Sequence, residues 1–264
     1  MRTHFLQAGQ GRPVLLVHGE GTSADPWVGL MRGLAPRYRT IAVDLPGNGR
    51  SEPLARPWPT VTAGFLWHFL KALGIPRAAV VGHSLGGAIA VHMARQRPAR
   101  VPRLTLISST GMGRAIEPVS VLKASTPLGD LSPLLPVMPL GPQLLVTWLS
   151  VLGSDRPWCL PPSWWHAQTR TDSSPQALAT ALRTQRHITG PCGQRHLVLG
   201  ALRKLTMPTL VIWGTHDRVL PPQQARKAFQ RLPDARLVLL PGGGHLLPAE
   251  APDRVLRVLT PFLR

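Results

Sequence analysis

Six short apolar runs, separated by longer stretches of mixed polarity, dominate the pattern of this chain. Each run is almost continuously hydrophobic and rich in β-branched residues or leucine, as expected of a strand that is covered on both faces. The runs are PVLLVHG (13–19), RTIAVDLPG (39–47), AAVVGHS (78–84), RLTLISS (103–109), PTLVIWG (208–214) and ARLVLLPG (235–242). The pattern predicts an α/β protein with a mostly parallel sheet.

Between these runs, apolar residues recur at the spacing of a helix. The segment 61–74 is the clearest example, and Gly74 is a plausible end for it. Its apolar positions are Val61, Phe65, Leu66, Phe69, Leu70 and Leu73. The segments PPQQARKAFQRLP and APDRVLRVLTPFLR contain proline at the start, which favours the first turn of a helix. Helices are therefore expected on both faces of the sheet.

The alternation stops between residues 111 and 200. This stretch is rich in proline, leucine and tryptophan, with helical pieces and no clear strand. It divides the chain into a core, residues 1–110 and 201–264, and an insertion, residues 111–200. Because parallel sheets bind ligands at the carboxyl ends of their strands, an insertion there predicts a helical cap over a binding site. Extra helices that only pack on the core are the alternative.

Charge and composition narrow the class of protein. The net charge is +18, from 30 Lys and Arg against 12 Asp and Glu. The basic residues are scattered singly, without a basic run or zinc-finger spacing, so nucleic-acid binding is not expected. No apolar stretch reaches the roughly 18–20 residues of a membrane span, and no signal sequence is evident. The expectation is a cytoplasmic protein of unspecified oligomeric state, with an exported chain that has lost its signal peptide as the alternative.

Cysteine usage and ligand spacing suggest neither a disulfide scaffold nor a cofactor. Cys159 and Cys192 are expected to be free thiols, and a single bridge between them is the alternative if the protein is exported. No metal-ligand spacing appears. The sequence therefore predicts no metal and no cofactor.

The stretch VVGHSLGG contains the first candidate for chemistry. Its GHSLG segment matches G-x-S-x-G at Ser84, after a predicted strand and before a helical pattern, which is the setting of a nucleophile on a sharp turn. The start of the helix would direct N–H groups at charge that develops on a carbonyl oxygen. A structural turn is the alternative, and a serine nucleophile needs a base to take its proton.

Among the ten histidines, His245 has the position expected of that base. It follows the last predicted strand in a glycine-rich loop, whereas the ring of His83 is expected to leave the serine turn in another direction. Asp217 follows the preceding strand and is expected to fix the tautomer of the histidine. A helix cap or an ion pair with Arg218 is the alternative role. The order Ser84, Asp217, His245 suits nucleophile, acid and base at successive strand ends.

Five segments together resemble the α/β-hydrolase family over nearly the whole chain. LLVHGEGTS resembles the HGxG loop of the family, VDLPGNGRS its D-x-P-G-x-G-x-S segment, and VVGHSLGG its nucleophile turn. VIWGTHDRVLP and LPGGGHLLPAEAPDRV resemble its acid and histidine segments. The resemblance implies a mostly parallel α/β-hydrolase sheet with helices on both faces and an inserted helical cap.

The resemblance also implies an oxyanion hole made by the backbone N–H groups of Glu20 and Leu85. Many esterases of the family have a bulky apolar residue at the position of Glu20, and a carboxylate that points into the pocket is costly unless it is paired. A second departure lies near the amino terminus. Only THFLQAG precedes PVLLVHG, where family members usually have two antiparallel strands, so the sheet is expected to lack its first edge strand.

The interpretation that follows is a serine carboxylesterase, whose partner is a small-molecule ester with a small to medium apolar acyl group. Aspartate at the nucleophile position, typical of related epoxide hydrolases and dehalogenases, disagrees with Ser84. Three other interpretations stay open. One is a C–C bond hydrolase, although His83 stands where those enzymes usually have asparagine. The others are a non-hydrolytic lyase or cyclase and, more remotely, a non-catalytic binding protein.

The insertion supplies the candidates for a substrate pocket. Its large apolar side chains are expected either to line the acyl pocket or to anchor the insertion to the core. The pocket candidates are Met138, Trp148, Trp164 and Trp165.

Overall fold

Strands and helices alternate along the chain as the apolar pattern predicts. The structure, a computed structural model, describes residues 1–264. The strands are β1 (Phe5–Ala8), β2 (Arg12–Val17), β3 (Tyr38–Val43), β4 (Ala79–His83), β5 (Leu104–Ile107), β6 (Thr189–Gly190), β7 (Gly193–Gln194), β8 (Thr209–Gly214) and β9 (Ala235–Leu240). The α-helices are α1 (Val28–Leu34), α2 (Pro59–Ala72), α3 (Leu85–Gln96), α4 (Pro118–Ser125), α5 (Gly141–Gly153), α6 (Pro162–Asp172), α7 (Pro175–Ile188), α8 (Gln223–Phe229), α9 (Leu247–Glu250) and α10 (Pro252–Leu263).

Seven strands form one sheet in the order β1-β3-β2-β4-β5-β8-β9. Every neighbouring pair is parallel except β1 and β3, which are antiparallel. The predicted mostly parallel α/β sheet is therefore confirmed. A single strand, β1, precedes β2 and forms that edge of the sheet, as the segment THFLQAG indicates.

Helices cover both faces of the sheet, and this explains the continuous apolar runs. In β2, Leu15 and Val17 pack into one buried cluster, whereas Val14 and Leu16 pack into another. This is the two-residue period of a strand with two apolar faces. Residues of α2, α3 and α8 complete the first cluster, and residues of α1 and α10 complete the second.

The chain leaves the sheet after β5 and returns to it at β8. The intervening residues contain α4 to α7, as the helical pattern predicts, but also β6 and β7, which pair as antiparallel strands of two residues each. The sequence pattern, which shows no clear strand in this stretch, does not indicate these two short strands. A two-residue ladder is too short to show alternation in the sequence. Gly193, the first residue of β7 after the connecting turn, has a φ of 89°, which glycine adopts without steric cost.

The insertion is held against the loop that precedes α9. The carbonyl of Gly153, at the end of α5, accepts hydrogen bonds from the backbone N–H groups of His245 (2.7 Å) and Leu246 (2.9 Å). Trp164 of α6 lies in one small buried cluster with Ala249 of α9. The insertion therefore contacts the sheet domain where β9 ends, at the carboxyl side of the parallel strands.

The structure also bears on two expectations from composition. Cys159 and Cys192 are free, as expected, and both are exposed. None of the helices has the length and apolar character that crossing a bilayer requires. The cytoplasmic localisation stays a prediction.

We predict that Gly86→Ala destabilises the fold, whereas Gly64→Ala does not. A Cβ on Gly86 would overlap the carbonyl oxygens of Val17 and His18, which cannot move without displacing the end of β2. Overpacking of this kind costs about 1–3 kcal/mol. A Cβ on Gly64 in α2 meets nothing within 4 Å, so alanine there should add about 0.5–1 kcal/mol of helix stability.

Urea unfolding of both variants beside the wild type measures these free energies. Equal effects of the two substitutions would contradict the close contact between α3 and the end of β2.

Candidate active site

Ser84 lies in the sharp turn between β4 and α3, where the backbone is strained. Its φ of 51° and ψ of −120° lie outside the regions that residues with a Cβ normally adopt. The turn forms because Gly82 and Gly86 approach closely: a Cβ on Gly82 would overlap the Gly86 carbonyl. The Ser84 carbonyl accepts hydrogen bonds from the N–H groups of Gly87 (2.9 Å) and Thr110 (3.1 Å). The strand–turn–helix predicted from GHSLG is therefore present.

Asp217 and His245 are in direct contact. Nδ1 of His245 lies 2.9 Å from Oδ2 of Asp217, and both side chains are buried. The other carboxylate oxygen, Oδ1, accepts hydrogen bonds from the N–H groups of Val219 (3.0 Å) and Leu220 (2.8 Å). Because a carboxylate only accepts hydrogen bonds, the imidazole donates from Nδ1. In the neutral ring, Nε2 of His245 is then left with a free lone pair.

Ser84 and His245 line the same cavity, which has a volume of about 180 Å³. We call it the elbow cavity. The Ser84 hydroxyl makes no hydrogen bond to another group of the chain, and hydrogen bonds between a nucleophile and its base often tighten only in the substrate complex. The fold thus brings Ser84, Asp217 and His245 to one site from three separate strand ends.

The backbone N–H groups of Glu20 and Leu85, which lie in segments beside Ser84, have no hydrogen-bond acceptor within the chain. Leu85 is the first residue of α3, where no carbonyl one turn earlier is available. Glu20 follows Gly19, whose Cβ, if present, would lie 3.1 Å from the Ser84 Cβ. Both free donors therefore belong to segments that adjoin the serine.

His83 contributes to the site in a way that the sequence did not indicate. The sequence predicts that this ring leaves the serine turn in another direction. In the structure it lines the elbow cavity beside His245. Nε2 of His83 lies 2.8 Å from the His245 carbonyl oxygen and donates to it. Burial lowers the pKa of His83 to about 3, so the ring is neutral at pH 7. A neutral donor therefore holds the backbone of His245.

His18 plays a comparable part in the loop that contains Glu20. The Leu45 N–H donates to Nε2 of His18 over 2.8 Å, so Nδ1 carries the proton and donates to the Gly19 carbonyl over 2.6 Å. Burial lowers the pKa of His18, which keeps this tautomer neutral. The histidine of the HGxG-like segment therefore orients the peptide immediately before Glu20, a role that only the folded contacts show.

One part of the elbow cavity holds three carboxylates and one amine, from Glu20, Glu117, Asp172 and Lys123. Burial raises the pKa of Glu20 to about 7, with Lys123 opposing the shift and Glu117 adding to it. Burial also raises the pKa of Asp172 to about 7, against the effect of a hydrogen bond from Gln168. Partial protonation thus relieves the cost expected for a buried carboxylate at Glu20. The cavity favours neutral or cationic ligands over anions.

Gln168 of α6 links the insertion to the loop of Glu20. Its Nε2 donates to the Gly21 carbonyl over 2.7 Å and to Oδ1 of Asp172 over 3.1 Å. One side chain therefore connects the cavity-facing side of α6 with the loop that carries one of the free N–H groups.

Helices α5 and α6 contribute five of the large apolar side chains that line the elbow cavity. Two of the four pocket candidates, Trp148 and Trp164, are among its lining residues. The other lining residues from these helices with large apolar side chains are Leu145, Leu149 and Leu152.

Met138 and Trp165 do not line the elbow cavity, which corrects their assignment as pocket residues. Met138 is 55% exposed and precedes α5. Trp165 lies edge-on against Trp164, with ring centroids 5.4 Å apart. Successive residues of a helix point in directions about a quarter-turn apart, so only one of the two tryptophans faces the cavity.

Comparisons with known proteins agree with this architecture. The sequence profile of the alpha/beta hydrolase family matches residues 14–258. An uncharacterized protein of Mycobacterium tuberculosis is 32% identical, over 99% of this chain and 78% of its own length. A 2-hydroxy-6-oxononadienedioate/2-hydroxy-6-oxononatrienedioate hydrolase of Comamonas testosteroni is 29% identical, over 99% of this chain and 91% of that protein. The crystal structure of a bacterial membrane phospholipase A superposes with a TM-score of 0.80 at 27% identity, covering 98% of this chain and 81% of that one.

We predict that Asp172→Asn reduces the pH dependence of the free energy of unfolding. Burial raises the pKa of Asp172 to about 7 in the folded chain, whereas the unfolded value is about 3.9. The folded state therefore keeps a proton that the unfolded state releases between these values, and stability falls as pH rises through this range. The contribution of this group is at most about 1.4 kcal/mol per pH unit.

Asparagine carries no titrating proton. The free energy of unfolding of Asp172→Asn, relative to that of the wild type, should therefore be higher at pH 8 than at pH 5. Urea unfolding at both pH values tests this, with Asp234→Asn as the control because Asp234 is exposed. A difference from the wild type that is the same at pH 5 and pH 8 would contradict a raised pKa at Asp172.

Proposed function

Since the chain belongs to the alpha/beta hydrolase family, we propose that it is a serine carboxylesterase that acts through an acyl-enzyme on Ser84. The observation that carries the proposal is the shared cavity of the strained Ser84 turn and the His245–Asp217 pair. Its substrates are esters with small to medium apolar acyl groups.

In the first half of the reaction, Oγ of Ser84 attacks the ester carbonyl carbon while Nε2 of His245 takes the hydroxyl proton. The carbonyl electrons move to oxygen, and the free N–H groups of Glu20 and Leu85 donate to this oxyanion. Such a donor is typically worth about 2.7–4 kcal/mol of transition-state stabilisation. Asp217 accepts from Nδ1–H of His245 and stabilises the imidazolium.

The first half ends when the oxyanion re-forms the carbonyl and the ester C–O bond breaks, while His245 gives its proton to the leaving alkoxide and an alcohol departs. In the second half, water attacks the acyl group on Ser84, with His245 again as the base. The bond to Oγ breaks, the proton returns to Ser84, and the carboxylic acid leaves. His83 supports both halves, because it holds the His245 backbone without adding charge.

The form of the elbow cavity supports the assignment of the acyl group. A cavity of roughly 150 Å³ can hold benzene, so about 180 Å³ suits a short or branched acyl chain. Apolar side chains of α5 and α6, with Trp148 and Trp164 among them, would contact this chain. Residues 111–200 then act as a helical cap, which supplies the acyl wall.

A second candidate is hydrolysis of a carbon–carbon bond, supported by the name of the Comamonas relative. A dienedioate substrate, as in that name, carries carboxylates. In this chain Glu20, Glu117 and Asp172 line the cavity and Lys123 is its one lysine or arginine, so charge repulsion favours the neutral ester.

We predict that Ser84→Ala abolishes hydrolysis of p-nitrophenyl esters, with a fall in kcat of at least roughly 10³-fold. The reason is that no other hydroxyl stands beside His245 on the strained turn. Ser173→Ala is the matched control, because Ser173 is exposed and its hydroxyl only donates to the Thr169 carbonyl within the insertion. A series from acetate to decanoate measures the acyl preference, and we expect the optimum among the short chains.

The carboxylesterase proposal fails if the wild type hydrolyses none of these esters. A fluorophosphonate probe then separates the remaining cases. Labelling at Ser84 would retain a serine hydrolase and direct the next assay to a 2-hydroxy-6-oxo-dienoate. No labelling would remove Ser84 as a nucleophile.

We further predict that Asp217→Asn lowers kcat by roughly 10³–10⁴-fold and leaves the fold intact. The amide can donate to Nδ1 of His245 and so favour the tautomer whose Nε2 carries the proton and cannot act as a base. Steady-state kinetics of the best ester measures kcat and KM, and Asp234→Asn is the control. A change in KM alone would contradict the assigned role of Asp217.

A further inference from the structure

A second cavity, of about 390 Å³, lies beside the elbow cavity and shares Thr110 and Ile188 with it. We call it the basic cavity. It is formed by the start of α2, the outer part of α3, the end of α7 and the segment from β7 to residue 198. Its aromatic and cationic lining residues are Trp58, His92, Arg95, His187, Arg195 and His196.

The charges of the basic cavity are uncompensated within the chain. No Asp or Glu is among its lining residues. The guanidinium groups of Arg95 and Arg195 take part in none of the ion pairs, and neither side chain makes a hydrogen bond to another group of the chain. A side chain on Gly190 would overlap the Arg195 guanidinium, so this group packs closely against the backbone of β6.

Three aromatic rings form a stack at the cavity. The ring of His187 lies between those of Trp58 and His196, at 4.5 Å from each, with interplanar angles of 11° and 17°. The guanidinium of Arg56 lies 5.4 Å from the Trp58 ring. The stack therefore places two imidazoles side by side at a cavity that is also lined by Arg95 and Arg195.

Two of the imidazoles that line this cavity, those of His187 and His92, have a lowered pKa. Burial lowers the pKa of His187, and the adjacent His196 lowers it further. Burial lowers the pKa of His92 as well, and the charge of Arg95 adds to that effect. An anion beside these rings reverses the electrostatic part of both shifts, so its binding is coupled to proton uptake.

We propose that the basic cavity binds a small multivalent oxyanion, held by Arg95, Arg195 and the three imidazoles. Guanidinium groups are suited to phosphate and carboxylate oxygens because their N–H donors lie in one plane. The volume of about 390 Å³ exceeds what a single phosphate occupies, which favours an anion with two or more charged groups. The carboxylates of the elbow cavity disfavour binding of the same anion there.

The site is separate from ester hydrolysis but adjoins the nucleophile turn. Thr110 lines both cavities, and its N–H (3.1 Å) and Oγ1 (3.4 Å) both donate to the Ser84 carbonyl. An anion in the basic cavity therefore lies next to a residue that supports the strained turn. Binding itself does not depend on any activity at Ser84.

Isothermal titration calorimetry with pyrophosphate at pH 7 tests the proposal on the whole chain. We expect saturable binding of one anion, weakened at least tenfold in the double variant Arg95→Gln, Arg195→Gln. The matched control is Arg226→Gln, Arg236→Gln, which removes the same charge from two exposed arginines outside both cavities and should bind like the wild type. Thermal unfolding of each variant confirms that the fold is retained.

Proton uptake provides a second measurement. Titrations in two buffers of different ionisation enthalpy should show uptake of protons on binding, reduced in His187→Phe, which keeps an aromatic ring in the stack but cannot be protonated. Citrate in place of pyrophosphate distinguishes the ligand groups: equal affinity indicates multivalent charge, and a preference for pyrophosphate indicates phosphate.

Two results would overturn the proposal. One is the absence of saturable binding by both anions. The other is an equal loss of affinity in the two double variants, which would indicate general attraction to a chain of net charge +18 and no defined site.

Discussion

The close approach of α3 to the end of β2 is the contact on which the rest of the site depends. Gly86 lies against the backbone carbonyls of Val17 and His18, so the first turn of α3 reaches the sheet without an intervening side chain. This contact places the free N–H of Leu85 and the side chain of Ser84 beside the loop of Glu20. The strain at Ser84 is offset by backbone hydrogen bonds, in which the Ser84 N–H donates and the Ser84 carbonyl accepts.

The proposed base is positioned mainly by backbone contacts. His245 lies in a loop without regular structure, where a flexible segment would lose the geometry that catalysis requires. The Gly153 carbonyl accepts a hydrogen bond from the His245 N–H, and His83 donates one to the His245 carbonyl. Asp217 accepts a hydrogen bond from Nδ1 of the His245 ring. Three elements distant in sequence therefore fix one residue, and the insertion contributes to the site through its backbone as well as through its apolar wall.

The net charge of the chain does not predict which charged residues line either cavity. The chain has a net charge of +18, yet the elbow cavity gathers three carboxylates around Lys123, whereas the neighbouring basic cavity has no carboxylate. Burial raises the pKa of Glu20 and Asp172 in the first, and burial lowers the pKa of His187 and His92 in the second. The two cavities that meet at Thr110 are thus lined by residues of opposite charge, and they would select different ligands.

Much of this protein follows from its sequence alone. Burial on both faces makes each parallel strand a continuous apolar run. The glycines around Ser84 indicate a turn that tolerates no side chains at their positions. Both features can be recognised from residues that are neighbours in the sequence. The sequence did not reveal which insertion residues meet the elbow cavity, because the rotation of a helix about its axis depends on packing; Trp148 and Trp164 face it, whereas Met138 and Trp165 do not. The contact of His83 with the His245 backbone and the meeting of Trp58, His187 and His196 in one stack were equally hidden. Periodicity and turn formation depend on residues that are neighbours in the sequence, so the sequence alone determined them. Contacts between distant segments form only when the chain packs, so only the tertiary structure decided them.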